Sequence, residues 1–374
     1  MIHLALRLTA AVVLVALVGV SSAAGSPADL KDLVRQLYPI PSATGNEELF
    51  AAKVAGLLPK AALIERDNLG GLFARFGAPG DTALAVVTPM DEFGYVVSNI
   101  LPDGYLQLDR LGTPPVGIFD AFLMGHYVVL STRTGPRQGI VVQPAMHTLG
   151  AEMRDRITKG VNLDMIYVDV GARSEADVRA KGIEILDPVT FSQDLATLAN
   201  DRLAGTALGL KTNAAVLTAL AVAAGGGNLP RATAFAWMSQ TRMSARGQRA
   251  ALGSVRARGR LAPKAAIVLG TIAADRDEKS PVFGKGIVVI QAKEGPMRLR
   301  EAVDAAAKEK GIALQPRTGG EGNLLTPFLS DGAEALILAL PVKFAGTPSE
   351  VVDMKDARAL LDLVSDIVLT GRLK

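Results

Sequence analysis

The chain has 374 residues, enough for two domains or for one large domain carrying an insertion. Its 40 Lys and Arg against 37 Asp and Glu leave the charge near balance, so neither a nucleic acid nor a membrane surface is implied as a partner. With no cysteine and only three histidines, disulfides and thiolate zinc sites are excluded and a histidine-rich zinc site is disfavoured.

Arg7 precedes an apolar run from Leu8 to Val20, and the small residues Ser21-Ser22-Ala23-Ala24-Gly25 follow. This is the order of a secretory signal peptide, and the run is short of the ~20 residues that a membrane span needs. The expectation is cleavage near residue 24, export to the periplasm or exterior, and no stable membrane insertion. His126 and His147 are the histidines left after cleavage.

Ser26-Pro27-Ala28-Asp29 has the pattern of a helix start, and Thr44-Gly45-Asn46-Glu47 reads as a capping box opening a second helix through Leu58. Strand-like runs follow at 62–65, 71–76 and 83–87. From Gly94 to Phe191 short apolar runs alternate with turn residues such as Pro102-Asp103-Gly104, which predicts a small β-domain. Helical and strand patterns then alternate again, with a helix from Asn213 to Ala224 and strands at 232–238, 265–269, 287–291 and 335–340. A helix is predicted over 296–310 and a closing one capped by Asp353. The predicted fold is an α/β sandwich in two pieces, 25–93 and 193–374, interrupted by a β-rich domain over 94–192.

Several segments carry a resemblance. Thr88-Pro89-Met90-Asp91-Glu92-Phe93-Gly94 follows a buried strand, at the end where open α/β sheets bind ligands. Pro41-Ser42-Ala43-Thr44-Gly45-Asn46-Glu47, Asp67-Asn68-Leu69-Gly70, Gly205-Thr206-Ala207-Leu208 and Thr347-Pro348-Ser349-Glu350-Val351-Val352 come in order after and around it. Together they resemble the glutamyl-aminopeptidase, or tetrahedral aminopeptidase, family of dinuclear zinc peptidases. The resemblance implies a zinc-exopeptidase-like α/β/α sandwich with an inserted β-domain, two zinc or cobalt ions, and oligomerisation through the insertion.

This sequence departs from that pattern where the family holds its metals. Pro89 stands for a histidine, Gly209 for the bridging aspartate, Thr241-Arg242 for the Glu-Glu pair, Gly270 for an aspartate and Gly346 for the last histidine. A competing alignment puts Asn200-Asp201-Arg202 at the bridging position; the first fits the following helix better. Asp91 and Glu92 remain, and Arg242 is expected to fill the space of a lost ion and neutralise one of them. Glycine and proline offer no side-chain ligand, so the expectation is no catalytic residue, no bound metal and no cofactor. A replacement metal site would draw on Asp91, Glu92, Asp201 or Asp275.

The basic stretch of Arg242, Arg246, Arg249, Arg256, Arg258 and Arg260 reads first as a solvated helix face, and Gly284-Lys285-Gly286 as a strand start. The expected function is an exported, non-catalytic binding or assembly protein that takes a peptide or an acidic small molecule and self-associates. The alternatives are a residual or rebuilt metallo-aminopeptidase and a purely structural oligomer subunit.

Overall fold

Asp29 opens α1 (Leu30–Leu37), its carboxylate accepting the Lys31 N–H at 3.1 Å. The structure is a computed structural model that describes residues 29–76, 82–225, 229–243, 252–275, 277–291, 297–318, 322–330 and 332–373. The expected leader, Ser26–Ala28, Arg246 and Arg249 lie outside the described residues. The second helix, α2 (Glu48–Leu57), begins after Glu47, but no capping box forms. Instead the Glu47 carboxylate accepts the N–H groups of Gly45 and of distant Gln240. Strands β1 (Leu63–Arg66), β2 (Leu72–Phe76) and β3 (Leu84–Pro89) follow, and β3 is buried throughout because it lies inside the sheet.

The next strands are β4 (Gly94–Ile100), β5 (Leu106–Leu111), β6 (Tyr127–Thr132), β7 (Gly135–Val142), β8 (Tyr167–Asp169) and β9 (Pro188–Phe191). They close into a barrel in the order β4-β5-β8-β7-β6-β9. Inward positions such as Tyr95, Val97, Leu106, Val128 and Val168 form its own core. Two helices, α3 (Ala151–Lys159) and α4 (Glu175–Ala180), sit in its connections; α3 buries none of its residues, which is why apolar periodicity gave no sign of it.

The chain then forms β10 (Ala196–Leu198), β11 (Arg202–Gly205), the long helix α5 (Leu208–Ala224), β12 (Thr233–Met238), α6 (Leu252–Leu261), β13 (Ala265–Ala273) and β14 (Ile287–Gln291). It ends with α7 (Arg298–Lys310), β15 (Leu314–Thr318), α8 (Gly322–Leu329), β16 (Glu334–Val342), β17 (Glu350–Asp353) and α9 (Met354–Thr370). Asp353 caps α9 through the Lys355 N–H.

The main sheet has eight strands in the order β1-β2-β12-β3-β13-β16-β14-β15. One face packs on α1, α2, α5, α7 and α9 around Trp237, Phe50 and Leu338; the other packs on α6 and α8 around Phe73, Val268 and Phe328. The result is a three-layer α/β sandwich with a β-barrel inserted after β3. No helix among the described residues is long and apolar enough to cross a membrane.

Candidate functional site

Strands β3, β12, β13 and β16 are mutually parallel, so their carboxyl ends reach one edge of the sheet. That edge holds a cavity of about 510 Å³, roofed by residues 113–115 of the barrel. Open α/β sheets place ligand crevices at such an edge. Pro89 ends β3 opposite Met238, and the chain beyond Met238 delivers Thr241 and Arg242 to the cavity wall. Gly270 comes from β13, and Ala207 and Asn213 from the head of α5. Gln240 and Ala207 are non-glycine residues in left-handed backbone conformation, at φ +53° and +50°. Such strain persists only where surrounding contacts hold it, and here both residues flank the cavity.

The acidic pair does not face the cavity. Asp91 is fully buried; it accepts the Thr241 hydroxyl at 2.6 Å and the Arg242 backbone N–H at 3.0 Å. Glu92 lies 3.4 Å from the Lys211 ammonium, and both side chains are essentially without solvent exposure. Lys211 also donates to the Ile40 carbonyl and the Ser42 hydroxyl. The expected Arg242 bridge to Asp91 or Glu92 is therefore corrected: Lys211 is the compensating cation, because α5 carries its side chain into the β3 end. Burial draws the Lys211 pKa down and the Glu92 charge opposes this. Glu47 belongs to the same buried knot; burial, and then the Asp91 charge, lift its carboxyl to about 7.

Gly209 and Gly346 meet through a residue not singled out beforehand. The Glu350 carboxylate accepts the Gly209 N–H at 3.1 Å and the Gly346 N–H at 3.0 Å, and it lines the cavity. Burial raises its pKa, while these two N–H groups and the Arg242 charge pull it down. Asn213 donates its amide to the Gly270 carbonyl at 2.7 Å, leaving its Oδ1 buried and unpartnered. The helix expected from Asn213 begins at Leu208, so Asn213 lies in its second turn, and a polar residue at the edge of the apolar run was the available signal for it. Glu350 had only its place in the matched 347–352 segment.

The remaining candidates disperse. Asp201 sits in the β10–β11 turn, paired with Lys31 and Arg358, so the competing alignment does not reach the cavity. Asp275 pairs with Lys343 at 3.0 Å, and no four-acid site with Asp91 and Glu92 forms. His126 packs edge-on against Phe191 at the barrel rim, and His147 lies in a short 3-10 turn. Arg256 and Arg260 pair with Asp67 and Glu65. The N–H groups of Gly284 and Gly286 bind Asp356, a structural use.

Fold and cleft define a three-layer α/β protein with an inserted barrel and a crevice at its parallel strand ends. The sequence profile of the M42 glutamyl aminopeptidase family matches residues 70–363, and the chain belongs to that family. The lysyl aminopeptidase of Pyrococcus furiosus is 27% identical over 350 residues, covering 88% of this chain and 96% of that protein. FrvX of Escherichia coli K12 is 25% identical over 354 residues, covering 91% and 95%. Among solved structures, the Pyrococcus horikoshii TET1 peptidase superposes with a TM-score of 0.77 at 21% identity, covering 91% of this chain and 99% of that one.

Membership overturns one expectation. The family is one of metal-dependent peptidases, so the reading that the chain takes no cofactor is withdrawn. The aligned positions themselves do not fit a two-metal centre. Pro89, Gly209, Gly270 and Gly346 bring no donor side chain, and Thr241 already donates to Asp91. A Cβ on Gly209 would meet Thr271 Cγ2 at 2.7 Å and Val342 Cγ2 at 2.8 Å, and one on Gly270 would meet Ile337 Cγ2 at 2.8 Å. Among the described residues no group of three His, Cys, Asp or Glu is placed to hold an ion.

Proposed function

We propose that this chain handles peptides in the cleft at the carboxyl ends of the parallel strands. Removal of an amino-terminal residue is the activity that family membership and the name of its Pyrococcus furiosus relative support. The observation that carries the reading is the cavity itself, with Arg242, Asn213 and Glu350 on one apolar-walled crevice. In this reading hydrolysis carries the metal requirement of the family to which the chain belongs. A second reading, peptide capture without turnover, is favoured by one observation: glycine and proline stand where the family keeps its ligands. The test is elemental analysis of the purified protein, with hydrolysis of leucine p-nitroanilide and trileucine measured before and after chelation and on return of zinc or cobalt. Metal-dependent turnover supports the first reading; trileucine binding with no turnover at any metal loading replaces it with the second.

Two further parts of the proposal concern the protein's setting. Export rests on the Arg7, apolar-run and Ala-rich pattern, and amino-terminal sequencing of exported protein that still begins at Met1 would sink it. Self-association is supported by the Pyrococcus horikoshii relative, described as assembling into a tetrahedron or a large octahedral shell, and the inserted barrel is the surface we assign to it. Ile118 and Leu186 are large apolar side chains exposed on the inserted region. Light scattering of the purified chain, and of Ile118→Asp and Leu186→Asp variants, tests this; a monomeric parent chain overturns it.

A further inference from the structure

The cleft contains polar atoms that the fold leaves without partners. The Nε–H of Arg242 is buried and unsatisfied, and among the described residues its guanidinium makes no ion pair. Its backbone is pinned on both sides: the N–H donates to Asp91, and the carbonyl accepts the Thr113 N–H from the barrel at 3.2 Å. The backbone of Arg242 is therefore held in place where its side chain enters the wall. Asn213 is 1% exposed, and the bond from its amide to Gly270 commits that end, so an acceptor oxygen is left free. Glu350 is oriented by two glycine N–H groups and carries further acceptor capacity on the same cavity. A buried donor or acceptor without a partner is costly, and a ligand that supplies the partner recovers that cost on binding.

We propose that this crevice binds the head group of a free α-amino acid, its carboxylate on the Arg242 guanidinium and its ammonium between Asn213 Oδ1 and Glu350. A guanidinium fork matches a carboxylate, and the two acceptors match an ammonium. The arrangement is a donor fork and two acceptors lining one small space, complementary to the carboxylate and ammonium of one α-amino acid. The rest of the wall, including Leu269, Ile272, Ile290 and Leu324, fits an apolar side chain. The inference rests on the reading of this cavity as the peptide cleft, and it names what occupies the cleft when no peptide does.

The experiment is calorimetric titration of the full mature chain with L-leucine and L-phenylalanine, their amides, and their N-acetyl derivatives. The free amino acids should bind at least ~10-fold more tightly than either blocked form, the loss expected for one charge-assisted hydrogen bond. Arg242→Gln should abolish the preference for free acid over amide while leaving the preference for free amine over N-acetyl intact. Arg242→Lys should restore part of the acid preference. A merely structural arginine would weaken all three ligands together. Equal binding of acid and amide, an acid preference untouched by Arg242→Gln, or no saturation by about 10 mM amino acid overturns the proposal. Trileucine binding and nitroanilide turnover are read separately, so the peptide reading can stand while this one fails, and the reverse.

Discussion

The ammonium of Lys211 lies 3.4 Å from Glu92 Oε1, with neither side chain reaching solvent. It also stands 4.4 Å over the Phe50 ring and donates to the Ile40 carbonyl. This pair ties the head of α5 to the turn after β3, and so fixes the cleft from behind. Removing Lys211 leaves the buried Glu92 without its counter-charge, with only the Ser42 and Gln193 hydrogen bonds to hold it among the described residues. Lys211→Met should destabilise the fold by about 3–5 kcal/mol, whereas Lys211→Met with Glu92→Gln should recover most of that loss. Urea denaturation of the two variants checks the order; equal losses would remove the pair from this role.

Glu47 gives a pH dependence with a defined sign. Its carboxyl rises from 4.5 to about 7, first through burial and then through Asp91, so the native state holds this proton more tightly than the unfolded chain. The stability it contributes is complete below about pH 4.5 and is lost as pH rises through about 7, to the extent of roughly 3 kcal/mol. Glu47→Gln keeps an acceptor for the Gly45 and Gln240 N–H groups and cannot ionise. The variant should match the parent near pH 4.5 and melt higher than it at pH 8. A difference in melting temperature that does not change with pH would refute this account.

Restoring a family-like acid at Gly209 tests how the cleft has been repacked. Its Cβ would press on Thr271 and Val342, both β-branched. Gly209→Asp should cost about 1–3 kcal/mol from overpacking alone. Adding Thr271→Ala and Val342→Ala should bring the Gly209→Asp penalty down, measured against the same double-alanine background. No change in that penalty would mean the crowding is not its source.

Gly346 adopts φ +77°, and a Cβ there would sit 3.2 Å from Pro115 and from Val116 on the barrel side. Gly346→Ala should cost about 1–2 kcal/mol from the left-handed backbone. It should also disturb the Glu350 carboxylate, which accepts the Gly346 N–H. Thermal melting, with leucine titration of the same variant, reads both effects.

The layered fold was legible because its evidence is periodic: a run such as Ala83–Val87 announces a buried strand, and alternating short runs announce the insertion. Pro89, Thr241, Arg242 and Gly270 were named as pocket residues through the family resemblance, and all four line the cavity at the strand ends. The orientation of Asp91 and Glu92 was not. Their partners, Thr241 and Lys211, are distant in sequence, and no local pattern says whether an acid after a strand turns to the cleft or to the interior. Glu47 misled for the same reason. Its local surroundings look like a capping box, but the stronger donor is the Gln240 N–H across the fold.

The insertion has a consequence for how the chain assembles. Val87 on β3 pairs in register with Ala236 on β12, and the whole barrel lies between them in the chain. Barrel pairs such as Tyr127 with Ile140 are neighbours in sequence and close early at small entropic loss. The central sheet must wait for its distant strand while β3 presents bare edges. A barrel that closes promptly holds the stems of β4 and β9 together, through Tyr95 opposite Val189, and shortens the effective loop that β12 must span. The insertion, by pairing its own two ends, thus works as a clasp that brings β3 and β12 within reach of each other.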